Sequence, residues 1–212
     1  MADPRREAGP TRGPAVRSWL ARLRAGLAGA LARRRVPLGF LVGAIVLWFA
    51  APTPATLLLG TPIAAAGEAL RIWAAGHLNK AREVTSSGPY RWFAHPLYVG
   101  SSVIGMGLAI ACSSPAVFVL VATYLGATLT AAVKSEEAFL RRTFGDRYDR
   151  YRRGSPTSGD HVRRFSLSQA RANREYHAVV GVLLAVLLLA LKATYNGAFW
   201  RAAGTYLVRP GG

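Results

Sequence analysis

The chain has one cysteine, Cys112, which excludes an intrachain disulfide and a thiolate metal cluster. It is also short of acid, with ten aspartates and glutamates against 27 lysines and arginines and a formal net charge of +17. The four histidines, His77, His95, His161 and His177, are scattered with no two at helical ligand spacing, so no metal site is expected. There is no Walker loop, no Gly-x-Gly-x-x-Gly after a strand, no nucleophile elbow around a serine and no internal repeat. The terminal Arg209-Pro210-Gly211-Gly212 is not a prenylation signal, so no lipidation of the chain is expected.

What the chain has in excess is apolar surface. Hydrophobic residues make up 51% of its 212 positions, and the mean hydropathy is +0.22. The apolar residues are clustered into charge-free runs at 36–67, 97–133 and 176–191, and a membrane-crossing helix needs about 20 such residues. The expected fold is therefore all-α, a multi-pass transmembrane helical bundle of about five spans.

The charge pattern agrees. Nine arginines lie in 1–35, three basic residues in 79–95 and eleven in 134–175, while the short connections 51–55 and 112–116 carry none. A charge of +17 on a soluble protein would suggest nucleic acid, but this alternation follows the positive-inside rule, with basic segments cytoplasmic. No nucleic-acid partner is expected; the oligomeric state is open.

Residues 1–35 read as a basic arm. Its first 14 residues have the composition of a disordered segment, and Leu20, Leu23, Leu27 and Leu31 then recur at the spacing of an amphipathic interfacial helix. Paired arginines before an apolar run also resemble an export signal, but the long basic region and the spans that follow favour an uncleaved first helix. A core at 36–153 follows. Its helices are expected at about Pro37–Ala51, Ala55–Leu78 with Pro62 bending it, His95–Ala111 and Ala116–Val133. Gly100, Gly105 and Gly107 on one side, with Gly126 and Ala127 on the other, would let the last two pack closely. Beyond them Leu140, Phe144, Tyr148 and Tyr151 form an aromatic stripe on a charged helix that Gly145 should bend. Residues 154–175 read as a basic cytoplasmic loop, and 176–212 as a fifth helix, extensible to Tyr195, with Trp200 and Tyr206 in the opposite interface.

Two constellations stand out. Glu68 and Arg71 lie three apart within a span, where ionisable residues are functional candidates unless they form an internal pair with the arginine snorkelling. The other joins distant positions: an antiparallel hairpin of the third and fourth helices would bring His95 to the same membrane face as Glu136 and Glu137. A pocket there would hold an imidazole, the phenols of Tyr90 and Tyr98, two carboxylates and a glycine, Gly100, admitting close backbone approach. The plainer alternative is a turn at Gly88-Pro89-Tyr90, a polar helix start at His95 and a solvated glutamate pair.

Gly88-Pro89-Tyr90-Arg91, His95-Pro96-Leu97-Tyr98-Val99-Gly100, Glu136-Glu137-Ala138-Phe139-Leu140 and Phe144-Gly145-Asp146-Arg147-Tyr148-Asp149-Arg150-Tyr151 together resemble the membrane methyltransferases that include isoprenylcysteine carboxyl methyltransferases and phospholipid N-methyltransferases. The resemblance reaches back to Gly67, Leu70, Arg71 and Trp73 and covers about residues 60–153. It implies S-adenosylmethionine as cofactor, bound by His95, Pro96, Tyr98, Gly100, Glu136 and Glu137, with Tyr90 beside them, at the cytoplasmic membrane face. Two positions depart from the family pattern. Ala94 stands where the family has arginine before His-Pro, and Gly154-Ser155-Pro156 replaces a Val-Pro-Arg-like ending. Membrane sterol reductases share a similar C-terminal signature but are much longer and use a nicotinamide.

The implied reaction is methyl transfer to a lipophilic small molecule or lipid. A carboxylate acceptor needs no general base at neutral pH, whereas an amine must first lose a proton. This leans to O-methylation of a prenylcysteine-like acid, with Arg71 or Arg91 as its anchor. The alternatives are phospholipid or amine N-methylation, and a non-catalytic lipid-binding or scaffold protein of the same fold.

Overall fold

The computed structural model describes residues 37–79, 85–153 and 164–197. The N-terminal arm with its expected interfacial helix, most of the loop after Gly154 and the expected interfacial Trp200 and Tyr206 lie outside the described residues. All regular structure among the described residues is helical. The elements are α1 (Pro37–Phe49), α2 (Pro54–His77), a 3-10 turn (Gly88–Arg91), α3 (Pro96–Ala111), α4 (Pro115–Phe144), α5 (Asp146–Arg152), α6 (Leu167–Ala172) and α7 (Tyr176–Tyr195).

Local chemistry sets the helix starts. Pro54, Pro96 and Pro115 each open a helix, where a missing N–H costs nothing and φ is already helical. Before α2, Thr53 and Thr56 cap reciprocally: Thr56 N donates to Thr53 Oγ1 (3.2 Å) and Thr53 N to Thr56 Oγ1 (3.0 Å). Helix α2 runs unbroken through Pro62. The fourth helix extends beyond the expected Val133, because nothing between Lys134 and Phe144 breaks it; the interruption comes at Gly145, whose φ of 51° ends α4 and starts α5.

The closest helix pair is α2 with α3, antiparallel, and glycine sets its register. A Cβ at Gly67 would fall 2.7 Å from both Gly100 O and Ile104 N, and one at Gly60 would collide with Gly107 O. The backbones therefore touch at two points one heptad apart, and Thr56 Oγ1 extends the contact by donating to Ala111 O (3.2 Å). This corrects the expected α3–α4 glycine seam: of its members only Gly105 faces α4, at Leu125, and Gly126 has open space around it. At the opposite end from the α2 C-terminus, Ala50, Leu57, Ala111, Cys112, Val117, Leu189 and Ala193 form a small apolar core, with Cys112 fully buried as a small apolar residue. There Lys192 of α7 donates to the carbonyls of Leu47 (2.5 Å) and Trp48 (2.7 Å), capping α1.

Helices α4 and α7, of 30 and 20 residues, are long and apolar enough to cross a membrane; α1 and α3 are apolar but shorter, within 10–17 residues. Five spans are thus not established, and two are supported by length and composition. Leu183, Leu187 and Leu191 point outward on α7 at four-residue spacing, an arrangement suited to lipid rather than water.

These contacts make the glycines unequal. Gly67→Ala should lower stability in detergent by about 1–3 kcal/mol, because the new methyl meets backbone that cannot rotate away. Gly126→Ala should be neutral or raise stability by up to about 1 kcal/mol through helix propensity. Thermal unfolding of the two variants side by side checks this, and equal effects would contradict the assigned seam.

Candidate functional site

His95 caps α3, and its ring meets the inner part of α4: Nε2 lies 3.4 Å from Glu137 Oε1 and Nδ1 lies 3.9 Å from Glu136 Oε2. The hairpin thus brings together residues more than 40 positions apart. Glu137 is also ion-paired with Arg152 of α5, so it stands between the imidazole and a guanidinium. Gly145 allows α5 to fold back, an arrangement closed by the Arg141–Asp149 pair (3.3 Å) and by Tyr151 Oη donating to Tyr90 O (2.7 Å). Tyr148 is buried beneath them. The aromatic stripe is therefore divided at Gly145, and its α5 half anchors α5 to the 3-10 turn.

Beside this junction is a half-open cleft of about 970 Å³. One wall carries Tyr90, His95, Pro96, Tyr98, Glu136 and Tyr151. Arg71 of α2 also lines the cleft, with Asn173, Arg174 and Glu175 from the α6–α7 turn and His177 from the start of α7. Ala94 lines the cleft with a methyl only.

Arg71 is already engaged. Its Nε donates to Glu175 Oε1 (2.6 Å) and its Nη1 to Ser101 Oγ (2.5 Å) and Leu97 O (3.4 Å). Glu68 is 7% exposed and 3.8 Å from Arg71 Nε, and neither of its carboxylate oxygens receives a hydrogen bond. Two carboxylates thus flank one guanidinium, and Glu175 holds the better geometry.

Of the residues singled out in the sequence, Tyr90, His95, Pro96, Tyr98, Glu136 and Arg71 line the cleft. Glu137 stands behind His95. Gly100 is at the α2–α3 crossing, against Gly67 O and the Arg71 side chain, and not on the cleft surface. Arg91 is exposed on the 3-10 turn and does not line the cleft. Sequence reasoning missed Tyr151 as a lining residue, and Asn173, Arg174 and Glu175 altogether, having read 154–175 as a loop that contains in fact the short helix α6. A signal existed: Glu175 is the sole acidic residue in 161–212, and it directly precedes an apolar run.

The donor set suits a cationic ligand group on one side, with a carboxylate and phenol faces. Burial, reinforced by the Glu136 carboxylate, pushes the Tyr90 phenol above its ordinary range, and burial followed by Glu137 raises that of Tyr148. Both phenols stay neutral in the folded protein at pH values where the unfolded chain's tyrosines ionise, so their contribution is complete below pH 10 and is lost as pH rises above it. Unfolding free energy should fall above about pH 10 with a slope approaching about 1.4 kcal/mol per pH unit from Tyr90, and Tyr90→Phe should reduce that slope in denaturant titrations from pH 8 to 11. A second expectation separates the two carboxylates at Arg71. Glu175→Gln should cost about 2–3 kcal/mol by stranding a mostly buried guanidinium, whereas Glu68→Gln should stay within about 0.5 kcal/mol of wild type or exceed it. A larger loss for Glu68→Gln would invert the assignment.

Comparison with known proteins bears on this geometry. Residues 56–147 match the family model described as phospholipid methyltransferase. The chain is 31% identical over 111 residues to the nickel-cobalt-cadmium resistance protein NccN of Alcaligenes xylosoxydans xylosoxydans, covering 51% of this chain and 50% of that protein. It is 28% identical over 92 residues to the protein-S-isoprenylcysteine O-methyltransferase of Schizosaccharomyces pombe, covering 43% and 39% respectively. The chain thus spans half or less of the length of these curated relatives. No solved structure matches it significantly. The matched region contains α3, nearly all of α2 and the whole of α4, with His95, Glu136 and Glu137, and it ends before the α6–α7 turn. Together with the motif resemblance and the apolar helices, the match makes residues 56–147 a phospholipid methyltransferase family domain in a chain that has the character of a membrane protein.

Proposed function

We propose that the cleft binds S-adenosylmethionine and that the protein transfers its methyl group to a lipophilic acceptor reaching the cleft from the membrane. The observation that carries this reading is the convergence of His95, Tyr98 and Glu136 from α3 and α4 on one wall of a cleft large enough for a nucleoside and a second molecule. When bound, the cofactor supplies an activated methyl on a sulfonium, so the chain's own task is to hold two partners in line and keep water away.

Glu136 offers the cofactor's cationic end a carboxylate, and Tyr98 and Tyr90 offer ring faces. Glu137 acts as a positioning residue: it faces His95 Nε2 and is tied to Arg152, fixing the ring between α3 and α5. Arg91 has no part in this scheme, and Arg71 serves to lock α2 to α7 through Glu175. By the charge pattern the cleft faces the cytoplasm. The reading leans to a carboxylate acceptor, which needs no general base at neutral pH. Amine or phospholipid N-methylation is the second reading, supported by the description of the matched family.

Calorimetry of the purified full chain should detect S-adenosylmethionine binding and none of NADPH. Glu136→Gln should weaken binding about tenfold or more, as expected for losing a charge-assisted contact, and Glu137→Gln less. Absence of wild-type binding would leave the non-catalytic lipid-binding reading in its place. Labelled-methyl transfer into lipid extract separates the acceptors, because base releases label from an ester and not from a methylated amine.

A further inference from the structure

The segment from Phe165 to Glu175, outside the family-matched region, grips the C-terminal end of α2. Ser166 N donates to Gly76 O (3.2 Å), Gln169 Nε2 to Leu78 O (3.0 Å), and Asn173 Nδ2 to the carbonyls of Ala75 and Leu78 (both 2.8 Å). The carbonyls that a helix end leaves without partners are thus satisfied by this strap. Phe165 packs against Gly76, where no side chain would fit, and lies 6.0 Å from the His77 ring. Two residues beyond Asn173, Glu175 binds Arg71.

Between these two fixed residues is Arg174, with φ of 60°. That left-handed conformation costs a non-glycine residue about 1 kcal/mol, and glycine would occupy it without strain. Arg174 is exposed and is among the residues that line the cleft, as Glu136 and His95 are. Its electrostatic position differs from that of Arg71, the other guanidinium of the cleft. Arg71 is neutralised by Glu175, whereas among the described residues no carboxylate lies within ion-pairing distance of Arg174. With Arg71 and Glu175 cancelling, the permanent charges left among the lining residues are those of Glu136 and Arg174.

We propose that Arg174, presented by the Asn173-Arg174-Glu175 turn, is the anion-binding residue of this cleft and takes a carboxylate or phosphate of a bound ligand. The inference deepens the methyl-transfer reading and rests on it. A guanidinium suits either anion through paired hydrogen bonds. Two sources of the anion are compatible with the position: the amino-acid carboxylate of the cofactor, or an acidic group on the acceptor.

Replacement by glycine tests this without a folding penalty. Arg174→Gly should unfold at the same temperature as wild type or higher, because the backbone conformation suits glycine. If the cofactor's carboxylate is bound, Arg174→Gly should weaken S-adenosylhomocysteine about ten- to a hundredfold and leave 5′-methylthioadenosine, which lacks the carboxylate, unchanged. If the anion belongs to the acceptor, S-adenosylhomocysteine binding should be unchanged, and an N-acetyl prenylcysteine should lose affinity by a similar factor while its methyl ester does not. Arg174→Lys should recover part of the loss in either case. Wild-type binding with Arg174→Gly unaffected toward all four probes would overturn this inference alone. Failure of the wild type to bind any of them would remove the methyl-transfer reading, and this inference with it.

Discussion

The contact between the backbones of α2 and α3 is the constraint on which the rest of the structure depends. With Gly60 against Gly107 and Gly67 against Gly100, the two helices have one antiparallel register, because sliding by a residue would turn a side chain into the seam. That register carries Arg71, one turn beyond Gly67, to Leu97 and Ser101 at the start of α3. It also places the C-terminal end of α2 beside the 3-10 turn, with the His77 ring against Gly88 and Trp73 5.6 Å from Trp92. The cleft exists where α2 and α3 end together, and its two walls are supplied by what each helix connects to.

The two walls are held differently. On the α4 side, Glu137 sits between His95 and Arg152, and Tyr151 bonds to the backbone of the 3-10 turn, so four elements are tied by charged and polar contacts at the cleft edge. On the α7 side, the strap caps the last carbonyls of α2 and the Arg71–Glu175 pair closes the joint. A mostly buried ion pair adds modest net stability compared with apolar packing, yet its geometry is demanding, so it fixes α7 relative to α2 more than it strengthens the fold. Such a joint positions Arg174 because its neighbours on both sides are committed elsewhere.

Much of this was legible in the sequence, for identifiable reasons. Thr53-Pro54, His95-Pro96 and Ser114-Pro115 each join a capping or polar residue to a first-turn proline, and all three mark helix starts in the structure. The meeting of His95 with Glu136 and Glu137 followed from hairpin topology alone. The glycine pairing joins α2 to α3 where the sequence suggests α3 and α4, because one helix shows which glycines share a face but not which partner that face meets. The α6–α7 turn was invisible for a different reason: Arg174 resembles the other arginines of a basic segment, and its backbone conformation and its place between Asn173 and Glu175 exist only in three dimensions.

Arg71, with Arg91, is the anchor that the sequence offers an acidic acceptor. A buried guanidinium bound to a carboxylate at 2.6 Å is already neutralised, and a ligand carboxylate would have to displace Glu175, leaving that group buried and unpaired. Glu68 cannot compensate, since it would bring negative charge where negative charge is already in excess. Anion recognition in the cleft is therefore assigned more economically to an arginine whose charge is not already balanced. Arg91 does not line the cleft, and His177, which does, has its Nδ1 3.1 Å from Arg174 O. Arg174 alone combines a place in the lining, a full charge and the absence of a carboxylate partner among the described residues.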